Sequence, residues 1–501
     1  MSIGTMGRLT APLLVVTGLL LPLTPLTRPA LATPASEVWA QADMARHPGP
    51  MVFQEPVGQD TPSAPRSMKV RAASTAQLPV APPQPDGPSD AGTPATLPTS
   101  GDATPDWPSL AELLALPGWI NLTLTINAAP IANPIGGLTA AANWMQQNEL
   151  NLVIGSGLAL DPSRWRGELD HWQARVRLDA YNGEPNFGSA IGSLFQPQSM
   201  AYPAAFYLSN VSLQRSSRDQ SLSISAGYQS IDQDFLVNQP YNSYLYSGFN
   251  DTLNLSLPGL PITPYVAPSV VLRWRSAGFG SWSVGTYWLD QETEMAGLLG
   301  APTALTPDLR GSLQVLQWDL PLWTRAAWLN APLRLAGGET VDRRLSAPVL
   351  QLGAFRSSTT FLSASDSPTG RADLLNHVVY GAFTLPAQLP IGLDNRFWGT
   401  LQWGLNPSQN ITPLFLAGGW QTQGLFPGRP LDVLSLGVGR TAFSPQLLPQ
   451  LNWAGAVELN YSFQINNRLS LQPVVQWLLR PSGEGTVPAI LTTALQLNLS
   501  L

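Results

Sequence analysis

The chain has 501 residues, of which 44% are hydrophobic and only 12% charged, with 48 prolines, 43 glycines and no cysteine. Soluble globular chains carry about 25% charged residues, so this chain is short of the groups that keep a surface in water. Zero Cys excludes a disulfide scaffold, thiolate zinc sites and cysteine catalysis; three histidines leave little for a metal cluster; and a net charge of -6 with 26 Lys+Arg argues against a nucleic-acid surface.

Residues 1–32 read as a secretory signal. Arg8 supplies the positive start, Ala11 to Leu23 the apolar run, and Ala30-Leu31-Ala32 a small-x-small cleavage pattern, with Ala40-Gln41-Ala42 as a competing site. Pro22 and Pro25 interrupt the run, which falls short of the roughly 20 apolar residues of a spanning helix. Residues 33–117 then turn rich in Pro, Ala, Ser, Thr, Gly and Asp. Prolines as dense as those from Leu78 to Pro88 remove backbone donors and oppose helix or central strand. This stretch is expected to be a disordered, semi-extended linker, with Ser109 to Leu116 the best short helix candidate.

Residues 118–501 form the expected folded part, and period-two alternation recurs through it between Gly, Pro, Asn and Asp turns. Leu122, Leu124 and Ile126 alternate with Thr123, Thr125 and Asn127. Trp172, Ala174, Val176, Leu178 and Ala180 oppose Gln173, Arg175, Arg177, Asp179 and Tyr181. The same pattern runs through Leu222–Gln229, Leu253–Leu257, Val270–Arg275, Val457–Phe463 and Leu495–Leu501. The polar faces are mostly Ser, Thr, Asn, Gln and Gly with scattered Arg and Asp, and lysine is almost absent. Aromatics such as Trp172, Trp274, Trp282, Trp288 and Trp477 fall near strand ends on the apolar face. A soluble sandwich would present many Lys and Glu on its polar face. An apolar face with aromatic ends fits an all-β transmembrane antiparallel barrel, in which lipid takes the apolar side.

The last strand ends the chain on apolar Leu501 and resembles the assembly signal of outer-membrane barrels, where Phe is usual. Upstream, Glu458-Leu-Asn-Tyr461, Leu469-Ser-Leu-Gln-Pro473 with Gln476, and Pro481-Ser-Gly483 closely resemble the C-terminal signature of carbohydrate-selective (OprB-type) porins. Gly424-Leu-Phe-Pro-Gly-Arg-Pro-Leu-Asp432 before Leu436-Gly-Val-Gly439, and Gly227 to Phe235, are similar to further segments of that family. The resemblance implies a 16-stranded barrel around a water-filled channel in a Gram-negative-type outer membrane, trimeric in some members. Its partners would be outer-membrane lipid, sugars or small ions as solutes, and the assembly machinery through the terminal strand. Many cyanobacterial members carry a peptidoglycan-binding S-layer-homology module where this chain has its Pro-rich stretch.

Strand parity directs Arg175, Arg177, Asp179, Arg273, Arg275 and Glu458 into the lumen, because a charge on the lipid face costs about 2–4 kcal/mol at midplane. Arg donors and carboxylate acceptors suit a hydroxyl-rich solute, and the Arg pairs at i, i+2 predict positive patches favouring anions or neutral solutes. Arg429 and Asp432 read as a structural turn pair, and Asp232/Asp234 and Glu292/Glu294 as solvated carboxylates. No metalloprotease, nucleophile-elbow or phosphate-loop motif is present, so neither enzyme activity nor cofactor is expected. Two alternatives stay open: a porin passing mainly inorganic ions without sugar selectivity, and a secreted glycan-binding β-protein that forms no pore.

Overall fold

The computed structural model describes residues 107–501 apart from 156–170, 236–238, 251–260, 277, 291–309, 324–325, 336–337, 363–370, 409 and 411. The signal, most of the Pro-rich stretch, the Leu253–Leu257 alternation and Glu292/Glu294 lie outside the described residues.

The first half of the barrel runs through β1 (Ile120–Ile135), β2 (Ala142–Ile154), β3 (Trp172–Gly183), β4 (Phe206–Ser216), β5 (Leu222–Gln229), β6 (Ala267–Ser276), β7 (Gly280–Asp290) and β8 (Arg310–Pro321). After a two-stranded ribbon of β9 (Leu333–Arg334) and β10 (Thr340–Val341), the wall resumes with β11 (Val349–Leu362), β12 (Arg371–Ala387), β13 (Asp394–Gly404) and β14 (Leu414–Gln423). It ends with β15 (Val433–Ala442), β16 (Trp453–Gln464), β17 (Leu469–Leu479) and β18 (Ile490–Ser500). Sixteen of these strands pair antiparallel in chain order, and β18 closes the ring on β1 from Thr125↔Ser500 to Ile135↔Leu491. Closure removes the two edges that an open sheet would present to hydrocarbon.

The burial pattern is inside out relative to a soluble protein. Leu416, Val438, Val475 and Trp477 point outward and are exposed, whereas Asn127, Gln147, Ser283, Gln402 and Glu458 point inward and are buried. Outward tryptophans form two rows. Trp274 and Trp282 sit opposite each other at one end, with Trp282 stacked on Trp318 at 5.7 Å, and Trp288 lies at the other end of β7. Six residues of strand put Trp282 and Trp288 about 20 Å apart along the chain, close to the height of a lipid-facing apolar band.

The strands define two rims. The turn end, where β1 begins, has tight reversals such as residues 217–221, where the Ser217 and Ser221 hydroxyls donate to Asp219 and hold its carboxyl down to about 2. The loop end carries the long connections 184–205 and 230–266. The long connection of residues 322–348 also lies at the turn end. Arg343 pairs with Asp394 at 2.8 Å, Arg344 N–H donates to Gln423 Oε1, and inward-facing Arg396 donates to the Ser346 carbonyl.

Residues 107–117, placed in the linker by composition, lie against the barrel. Helix α1 (Leu110–Leu113) starts with a capping box in which the Ser109 backbone N–H and hydroxyl donate to Glu112, holding that carboxyl below its ordinary value. Leu110 is buried against Leu124 and Ile126 on the outer face of β1, with Leu150, Leu499 and Leu501 around them. Trp107 exchanges hydrogen bonds with Asn467 in the β16–β17 turn. The short helix thus covers the outer face of the β1–β18 seam near the turn end.

Val438 tests the outward assignment. Val438→Arg should lower the stability of the barrel in lipid vesicles by about 2–4 kcal/mol, read from urea unfolding, and an unchanged midpoint would place that face in water.

Candidate functional site

The lumen is not an open tube. The connection between β5 and β6 leaves the wall at Ser230 and Ile231, and its residues 239–250 reach β13 to β17 on the opposite side of the ring. At the departure point, Asp232 accepts from Thr263 N–H at 2.9 Å and from the Thr263 hydroxyl, and is buried. The carboxylate read as solvated is therefore the clamp at the base of the crossing segment. Its neighbour Asp234 faces Arg273 at 3.3 Å.

Glu458 on β16 receives the far side of the segment. Its carboxylate accepts the successive backbone N–H groups of Leu245 (2.9 Å) and Tyr246 (2.8 Å), and side-chain N–H groups of Asn460 (2.9 Å) and Gln476 (3.1 Å). The Ser243 carbonyl accepts from Asn460 and Gln472, both at 2.8 Å. Tyr244 donates to the Leu436 carbonyl and accepts from the Trp398 indole. A carboxylate with four donors converging on it offsets much of its desolvation. Glu458 faces inward as parity requires, but it is fully buried and holds the segment rather than facing the channel.

The wall is recessed where the rings of the segment land. A Cβ at Gly437 would stand 2.8 Å from the Tyr244 ring, at Gly439 2.6 Å from the Phe249 ring, and at Gly419 2.8 Å from the Tyr244 hydroxyl. These closely placed glycines are therefore a seat for aromatic side chains. The 184–205 connection joins the same insert. Ser199 N–H donates to the Leu245 carbonyl, Ser247 N–H to the Gln196 carbonyl, and Gln476 to the Pro197 carbonyl. Beside them Tyr181, Tyr202, Tyr207 and Tyr265 pack edge to face or tilted at 5.1–5.8 Å, filling the lumen against β3 and β4.

The other expected lumen residues all lie on inward parity, in two groups. Arg177 bridges Glu149 (3.1 Å) and Asp179 (2.8 Å), with Gln147 donating to Asp179, and all four are buried. Arg273 binds Asp234 and Ser283 and is partly exposed, while Arg275 is exposed toward the turn end. Arg175 lies between the groups, its Nε buried without a partner among the described residues. Asp319, held by Gln317 and Gln351, adds a further inward acid. The positive patch expected from the Arg pairs is offset by Glu149, Asp179, Asp234 and Asp319. Glu149 sits amid Asn and Gln on β2, where only the register Glu149↔Asp179 reveals its role. Arg429 and Asp432 form the expected turn pair at 2.7 and 2.9 Å. Tyr461, assigned to lipid by alternation, is instead covered, with its hydroxyl on Asp432.

The model of the carbohydrate-selective porin, OprB family, matches residues 351–501. The match spans β11 to β18 and takes in Trp398, Gly437, Gly439, Glu458 and Gln476, the wall that receives the crossing segment. The structure of Pseudomonas putida OprB at high pH is similar in fold, with a TM-score of 0.62 at 14% identity over 78% of this chain and 96% of that one. The low-pH structure of the same protein gives 0.43 at 13% identity over 78% and 95%. An anion-selective porin from Comamonas acidovorans gives 0.43 at 9% identity over 76% and 99%. Among curated proteins no sequence matches.

The latch makes a direct expectation. Glu458→Ala should free the Leu245 and Tyr246 amides and leave the strands paired. Single-channel recordings should then show a larger mean conductance with more open-state noise, and a quiet, unchanged channel would remove Glu458 from control of the insert.

Proposed function

We propose that the protein is an outer-membrane porin for passive diffusion of small solutes, neutral carbohydrates first among them. The observation that carries this is the balanced lumen: arginine donors and carboxylate acceptors face one another beside tyrosine rings, across an insert that narrows the barrel. A sugar needs paired donors and acceptors and an apolar surface for its ring faces, and a near-neutral wall rejects it no more than water. The family description of the matched strands supports the same solute class.

In this reading Arg273, Arg275 and Arg175 meet solute, while Arg177, Asp179 and Glu458 shape the wall behind it. Residues 1–32 direct export, the Pro-rich stretch that begins at residue 33 serves as a linker, and the loop end faces outward, as long loops do in such barrels. β18 serves as the segment read by the assembly machinery, and a homotrimer is the expected assembly. A porin passing mainly inorganic ions is the second reading, favoured by the exposed Arg275.

Planar-bilayer conductance separates these readings. Ohmic steps that sugar titration reduces are expected; steps indifferent to sugar would leave the ion pathway alone, and no steps from folded protein would sink the pore. Arg273→Ala combined with Arg275→Ala should move the reversal potential in a salt gradient toward cation preference, because Asp234 and Asp319 then lack their countercharge. An unmoved potential would place both arginines off the permeation path. Arg177→Ala should instead destabilise the barrel by about 3–5 kcal/mol by stranding two buried carboxylates, seen as a lower unfolding midpoint.

A further inference from the structure

At the loop end, the outward column of β15 passes from Leu434, Leu436 and Val438 to Arg440, which is exposed. The neighbouring strand β16 opens outward with Trp453, in register with Ala442. The Arg440 guanidinium stands 5.0 Å from the Trp453 ring centroid, and the Arg480 guanidinium stands 5.5 Å from the same centroid.

Arg480 is placed there by its backbone. It follows β17 with φ at 47°, a conformation uncommon outside glycine, which reverses the chain. Its Nη2 donates to the Glu484 carbonyl at 2.7 Å, and its Nε is buried without a partner. Gly485 lies against the guanidinium so closely that a Cβ would stand 2.9 Å from Cζ. Among the described residues neither Arg440 nor Arg480 makes an ion pair with a carboxylate. Below Trp453 on the same outward column comes Gly455, which is buried, and a Cβ there would stand 3.3 Å from the indole, so the ring lies over it with Val457 beyond.

Two guanidiniums on one indole, at the point where a lipid-facing column gives way to water, lack an anion. We propose that Arg440, Trp453 and Arg480 form a seat for the phosphate of an anionic lipid headgroup, with an acyl chain lying along the exposed Val438 and Leu436 below it. The indole sits at headgroup depth, as aromatic girdles do, and Arg is the residue suited to forked donation to phosphate. Lipid is favoured over a second protein copy because both guanidiniums stand where the exposed apolar column of β15 ends, the depth at which basic side chains meet anionic headgroups. The proposal rests on the barrel standing in a bilayer.

The test uses the detergent-purified full chain, delipidated and titrated by native mass spectrometry with phosphatidylglycerol, phosphatidylcholine or inorganic phosphate. Phosphatidylglycerol should be retained in preference to phosphatidylcholine, and Arg440→Gln with Arg480→Gln should weaken its binding roughly thirtyfold. Trp453→Leu, which keeps both charges, should weaken binding of phosphatidylglycerol while preserving its preference. Equal retention by wild type and the double Gln variant overturns the proposal, as does equal binding of the two lipids. Inorganic phosphate displacing the lipid at matched concentration would make this a free-ion site, and loss of a dimer in the double variant would make it a protein contact; either result also overturns it. Heat-modifiable gel migration reads the barrel separately: an unfolded wild type would sink the bilayer reading, whereas a folded wild type that binds no anionic lipid sinks only the headgroup seat. If the double variant does not fold, Arg440→Gln alone carries the comparison.

Discussion

Everything in this molecule depends on one hydrogen-bonding constraint. In hydrocarbon, no water is available to pair a stray backbone N–H or carbonyl, so each strand must be paired on both sides. The pairing of β18 with β1 satisfies the last two edges and turns sixteen marginal segments into one wall. Once the wall is closed, side-chain parity has only two destinations, and the composition follows from that. Outward positions take mainly Leu, Val and Trp, and inward positions take Asn, Gln, Ser, aromatic rings and many of the charges.

The wall then becomes a scaffold for something less regular. The 239–250 segment is held across the lumen largely by the far wall: Glu458 on two amides, Asn460 and Gln472 on one carbonyl, and glycines of β14 and β15 under its rings. The aperture is thus shaped by a connection from the first half of the chain and held by strands of the second, within the residues that the family model matches. Polar atoms that look like solute ligands in a strand pattern are, at Glu458, Asn460 and Gln476, fasteners.

Much of the barrel was legible in the sequence because period two is a local property. The alternations around Trp172, Leu222, Val270 and Val457 coincide with β3, β5, β6 and β16, and all six lumen candidates face inward. What parity could not supply was the third dimension of the lumen. Whether an inward carboxylate meets water or an amide depends on which loop folds over it. Asp232, Glu458 and the offsetting role of Glu149 became visible only with the crossing segment and the strand register in place. The same limit applies to Tyr461, whose outward position is roofed by a turn, and to Leu110, which composition grouped with a linker although it needs a specific surface beneath it.

That surface has a history. Leu110 rests on Leu124 and Ile126 from β1 and is flanked by Leu499 and Leu501 from β18. In the chain these two groups stand about 375 residues apart, and they share one hollow only where the first and last strands pair. The little helix therefore gains its full cover only where the seam is closed: β1 supplies the floor of its hollow, and β18 the far wall.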